Sequence, residues 1–161
     1  MAAFDIILRY YPHDDALRRL LLHHSRQVMR RALRIAARHP EMGMDRAFLV
    51  QAALLHGYLG AELLRSHGMN RLARVCERHT GTGLTPEQLA APHLPQPPGS
   101  YVPETPEEQL LGYADKFYSK SHPERERTVA QTAVSLEKFG HDGVAKFMAW
   151  AERFEPELPK D

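Results

Sequence analysis

His24, His56, His79 and Asp115 are the side chains in this sequence most suited to chemistry, and they fall one apiece on four separate apolar stretches. His24 lies three residues after Leu21 and four before Val28, and His56 follows Ala53 by three. His79 follows Cys76 by three and Val75 by four, while Asp115 follows Leu111 by four and precedes Tyr118 by three. At helical spacing all four sit on core-facing stripes. Burying such groups is costly unless something binds them together. A divalent metal is the simplest such partner, because neutral imidazole and carboxylate are its usual ligands. Each residue also has a plainer reading on its own. A single histidine on an apolar face is commonly a hydrogen-bonded core residue, His56 and His79 suit helix C-termini as cations, and Asp115 could pair with an arginine. The joint occurrence favours a site.

The elements that must carry these residues read as helical nearly throughout. Asp14 and Asp15 can cap a helix starting at Ala16, with Leu17, Leu20 and Leu21 apolar. A second run has Val28, Ala32 and Ile35 at helical spacing and ends before Pro40. Asp45 is the expected N-cap of a helix from Arg46 to His56, followed by a short amphipathic piece over 59–66 that stops near Gly68. The next helix runs from Asn70 to His79 and breaks at Thr80-Gly81-Thr82-Gly83. Thr85-Pro86 predicts a short helix over 86–91, and five prolines within 92–105 predict a loop. Thr105-Pro106 opens a helix expected to pass through Asp115 to about Ser119. Helices around 124–139 and 141–153 read as packing elements, with Phe139, Phe147, Trp150 and Phe154 supplying bulk. No segment predicts a strand, and there is no internal repeat. The expected fold class is all-α, a single domain over 1–161 with its core at about 16–120 and packing helices at about 124–154.

With 161 residues the chain can bury a proper core. Its 21 Lys+Arg against 20 Asp+Glu leave a formal charge of +1, so overall charge points to no polyanion. Arginines concentrate in the first forty residues, and a solvated helix face is the preferred reading over a nucleic-acid surface. The single cysteine, Cys76, excludes an internal disulfide framework and suits a reducing compartment. No apolar run approaches the ~20 residues that span a bilayer. The opening MAAFDIILRYYP has too short an apolar core for a signal peptide. A soluble cytoplasmic protein without a membrane or nucleic-acid partner is expected, and a homodimer is left open.

Four runs, LLHHSRQVMRRALRIAARH (21–39), AALLH (52–56), CERHTGTGL (76–84) and GYADKFYSKSHPERERTV (112–129), resemble the HD superfamily in the expected order. The similarity is closest to small bacterial HD/HDIG-type phosphohydrolases. The resemblance implies an HD-type helical bundle whose first ligand is His24, with His79 and the late Asp115 as further ligands. It also implies a His-Asp doublet. Here AALLH runs straight into HGYLGAELL, so His56 is either the doublet histidine without its aspartate or the later histidine with the doublet lost, and Gly57 occupies the next position. The doublet segment is missing from the pattern.

Together these readings lead to an expected metal-dependent phosphohydrolase acting on a nucleotide or other small phosphoester. His24, His56, His79 and Asp115 would hold one or two ions of Fe, Mn, Zn or Ni, whose bound water attacks phosphorus. Asp115 and Lys116 are the expected catalytic residues, and Lys116, Lys120 and Arg78 the expected phosphate contacts. On this reading Asp115→Ala abolishes metal binding and phosphatase activity with little loss of fold. The alternative is a catalytically impaired HD scaffold that binds a nucleotide or a protein partner. A weaker third reading is a helical nucleic-acid-binding domain that uses the arginine-rich second helix.

Overall fold

The computed structural model describes residues 3–57, 60–89 and 99–160. Local capping signals set most element boundaries. Helix α1 spans Ala3–Tyr10, and α2 spans Ala16–Arg38 with the Asp15 side chain accepting from the Arg18 amide. The two runs expected on either side of His24 are thus one continuous helix. Asp45 caps α3 (Arg46–Leu55) by accepting from the Phe48 amide, and His56 is the C-cap. Short α4 (Ala61–Ser66) and α5 (Asn70–Arg78) follow, then α6 (Pro86–Leu89). Helix α7 (Pro106–Asp115) starts in a capping box, in which Thr105 and Glu108 each satisfy the other's backbone amide. Thr128 and Gln131 build the same device at α8 (Val129–Leu136), and α9 (His141–Phe154) closes the fold.

Helix α2 packs along α3 and α7, α5 lies against α3, α4 and α7, and α9 covers α7. Val28, Ala32 and Ile35 of α2 meet Leu49, Ala52 and Ala53 of α3 in one buried cluster. Leu110, Leu111 and Tyr113 of α7 join it, with Phe147, Trp150 and Phe154 of α9 buried on the far side. Those aromatic residues therefore cover the core rather than present a face to a second copy.

Three features depart from the sequence reading. Helix α1 was not expected, although Ala3, Ile6 and Ile7 repeat at three- and four-residue spacing and are buried. Helix α7 ends at Asp115, and the expected helix from 124 begins only at Val129. Between them lies an antiparallel pair, β1 (Tyr118–Ser119) and β2 (His122–Glu126). β2 is almost wholly exposed and carries a proline and three charges, so it shows none of the alternation that marks a half-buried strand. Its position is set from outside, because His23 and Gln27 of α2 both hydrogen-bond the Pro123 carbonyl. The chain is thus largely helical with a small sheet, not all-α.

The expected turn at Thr80–Gly83 forms, and Gly83 has φ +98°. A Cβ there would stand 2.6 Å from Pro103 Cδ and 2.7 Å from Val102 Cα, so only glycine lets Leu84 pair with Tyr101 beyond the turn. Of the expected proline loop and surface His93, residues 92–98 lie outside the described residues. No helix among the described residues is long and apolar enough to cross a membrane.

Candidate functional site

α2, α3 and α7 bring His24, His56 and Asp115 together at the middle of the helical layer. His24 is 2 % exposed and His56 5 %, and one carboxylate oxygen joins them. Asp115 Oδ1 lies 2.9 Å from His24 Nε2 and 3.2 Å from His56 Nε2, and the two nitrogens are 3.2 Å apart. On the other side, Lys116 Nζ donates to Asp115 Oδ2 at 2.7 Å and to the His79 carbonyl at 2.6 Å. Lys116 thereby pins the end of α5 to the end of α7.

Hydrogen-bond partners fix where the protons sit. A carboxylate only accepts, so His24 carries its hydrogen on Nε2. His56 Nδ1 is 2.7 Å from the Ala53 carbonyl and must donate to it. In its neutral form His56 then presents a bare Nε2 lone pair beside Asp115 Oδ1. His79 does likewise, its Nδ1 donating to the Cys76 carbonyl at 2.8 Å, with its ring centroid 5.4 Å from that of His56. One hydrogen, on His24 Nε2, is shared among converging acceptors.

The charge states follow from the surroundings. Burial lowers His24 below its ordinary value, against the raising effect of Asp115. Burial likewise pushes His79 down to about 4. For Asp115, burial pushes upward, but the Lys116 ammonium and the hydrogen bond from His24 hold it well below the carboxylate range. The folded centre therefore holds neutral His24 and His79 around an ionised carboxylate at pH 7. In the unfolded chain both histidines titrate near 6.5. Their contribution to stability is full above that pH and is lost as pH falls toward about 4. We expect urea unfolding to show a loss of roughly 1–3 kcal/mol of stability between pH 7 and pH 4.5. Each tenfold change in proton affinity between the folded and unfolded chain contributes about 1.4 kcal/mol, discounted for the part of His79 that reaches solvent. A flat profile across that range would contradict the neutral, buried assignment.

The other expected site residues are placed differently. His79 is adjacent to the cluster but does not share its convergent atoms; among the described residues, His24, His56 and Asp115 alone place ligand atoms within 4.8 Å of one another. Arg78 donates to the Val102 carbonyl at 2.6 Å and pairs with Glu104 at 2.8 Å, holding the 102–104 segment against α5. Lys120 is exposed beside Gly57, whose added Cβ would lie 3.5 Å from Lys120 Cε. α3 passes through His56 directly into a turn at Gly57, with no segment between them.

The sequence reading missed a second polar centre. Arg31, 3 % exposed, pairs with Glu155, 2 % exposed, and with Glu126, while its guanidinium lies 3.3 Å from the Phe117 ring centroid. Tyr113 Oη donates to Glu155 at 3.1 Å and Arg38 adds a second pairing at 3.0 Å. A signal was present, since Arg31 is seven residues after His24, three after Val28 and four before Ile35, on the same inward stripe.

Similarity to known proteins bears on the meaning of this geometry. A Picrophilus torridus protein named tRNA (cytidine(56)-2'-O)-methyltransferase is 35% identical over 127 residues, covering 71% of this chain and 35% of that protein. A Thermoplasma volcanium protein of the same name is 30% identical over 102 residues, covering 63% and 29%. The chain is similar to about a third of these tRNA methyltransferases. An uncharacterized Methanocaldococcus jannaschii protein is 46% identical over 63 residues, covering 38% of this chain and 36% of its own length. The chain thus spans about a third of the length of the curated relatives it matches. No family model matches it, and no solved structure does.

These relatives correct the resemblance to HD phosphohydrolases. The two with a named activity are named for methyl transfer to tRNA, not for hydrolysis of a phosphoester. The hydrolase and HD-scaffold readings fall with that resemblance, and so does the small phosphorylated substrate. The Fe, Mn, Zn or Ni centre is corrected on the same finding. His24 Nε2 also already directs its hydrogen at Asp115 and His56. The expectation of no nucleic-acid partner does not stand either, because these relatives are named for a reaction on tRNA.

Proposed function

We propose that this chain serves the 2'-O-methylation of tRNA, as a helical module that engages the RNA and supplies a proton acceptor. The observation that carries the reading is the shared third of two proteins named for that activity. The site chemistry is compatible with it. A ribose hydroxyl loses its proton as its oxygen takes a methyl group, and an acceptor within reach speeds such a step by about 10²–10⁴-fold. The lone pairs of His56 Nε2 and Asp115 Oδ1 converge beside the His24 N–H, with Lys116 balancing the carboxylate charge. Lys120, exposed beside Gly57, is the cation nearest the outside of that centre and suits a phosphate of the bound strand.

The test is direct binding of unmodified tRNA by the purified chain, followed by fluorescence anisotropy at about 50 and 200 mM salt. Micromolar or tighter binding that weakens with salt is the expected result. No binding at the lower salt would overturn the reading.

A further inference from the structure

The outer face of α2 carries Arg19, His23, Arg26, Arg30, Arg34 and Arg38, all exposed or half-buried and recurring at three- or four-residue spacing. The arginines at the two ends are engaged. Arg19 pairs with Asp14, and Arg38 with Glu155 and Glu157. The three central ones, Arg26, Arg30 and Arg34, have no carboxylate partner among the described residues. They lie one helical turn apart, so three like charges stand along ~12 Å of one ridge. Like charges at this spacing destabilise an isolated helix. The fold offers no compensation for that repulsion among the described residues, although 20 Asp and Glu are present in the chain.

The ridge also joins two concavities. Arg26 lines a cleft of about 700 Å³ with Leu20, Leu22, His23 and Pro123. Arg34 lines another of about 460 Å³ with Phe117, Arg127 and Thr128. Arg30 lies between them. The carboxylates at their rims are mostly engaged from within the chain: Asp14 by Arg18 and Arg19, Glu126 by Arg31, and Glu155 and Glu157 by Arg38. The unpaired arginines therefore set the character of this face. Guanidinium groups meet phosphate oxygens through paired N–H donors, and apolar-floored hollows beside a charged ridge suit splayed nucleotides.

We infer that Arg26, Arg30 and Arg34 form the track on which the chain holds an RNA phosphate backbone, with flanking nucleotides entering the two clefts. This rests on the tRNA reading above and says which surface does the work. The experiment compares the intact chain with Arg26→Glu/Arg30→Glu/Arg34→Glu in tRNA binding across a salt series. A control, Arg9→Glu/Arg46→Glu/Lys138→Glu, makes the same change in net charge at exposed positions elsewhere. The track predicts at least a ~100-fold loss of affinity for the first variant. It also predicts a shallower dependence of log affinity on log salt, the slope falling by roughly two to three for three lost phosphate contacts. The control should stay within about five-fold of wild type. If wild type binds tRNA and both variants weaken it equally, or neither does, the track is wrong while the tRNA reading stands. If wild type binds no tRNA, the reading itself fails and takes the track with it. Competition by polyglutamate as strong as that by tRNA would replace RNA by an acidic protein segment as the partner.

Discussion

Arg31→Ala is expected to cost about 3–5 kcal/mol of stability, the usual penalty for removing one member of a buried ion pair. Glu155 would be left in the core with the Tyr113 hydroxyl and one bond from the half-exposed Arg38. Phe117 would lose the guanidinium that covers its ring. Lysine does not restore the site, because a single ammonium cannot meet Glu126 and Glu155 at once while lying flat on an aromatic face. Pairing Arg31→Met with Glu155→Gln removes both charges, and should recover more than half of the loss in a double-mutant cycle. Urea unfolding of wild type, the alanine variant, and the Arg31→Met, Glu155→Gln and double variants measures this. A loss below about 1 kcal/mol for the single alanine variant would show that the pair is not a keystone.

Asp115→Ala is the second large effect, expected at about 3 kcal/mol. The carboxylate accepts from His24 and Lys116 and lies 3.2 Å from His56 Nε2. Without it a largely covered ammonium keeps only the His79 carbonyl, and two imidazoles lose their partner. This reverses the expectation, drawn from sequence, that the substitution spares the fold. Asp115→Asn keeps the shape and one acceptor, and should lose about half as much. It should also leave tRNA affinity unchanged while methyl incorporation into tRNA falls by about 100-fold or more, if the centre is the proton acceptor. Thermal unfolding settles the structural part. A stable Asp115→Ala protein would mean that Lys116 and the histidines find other partners.

What was legible in the sequence was local. Asp15, Asp45 and Thr105 could be read as caps because their partners lie three residues away. The meeting of His24, His56 and Asp115 was legible because each lies on an apolar stripe, and three inward stripes share one interior. β2 was not legible, since its position depends on Pro123 being held by His23 and Gln27 about a hundred residues away. Arg31 was passed over because arginine on a helix is ordinarily a surface residue. The function misled for a different reason. Buried histidines with a carboxylate fit several chemistries, and the motifs that carried the resemblance are only a few residues long.

The link between Arg31 and Glu155 also constrains the order in which the chain can mature. The two residues are 124 positions apart. At translation rates of about 5–20 residues per second, α2 waits roughly 6–25 s before its acidic partner is made. Glu126 is made earlier and can meet Arg31 first, but until Glu155 follows, the guanidinium lacks its buried carboxylate. The early helices are therefore expected to pack fully only once the segment after α9 is made and Glu155 acts as their clasp.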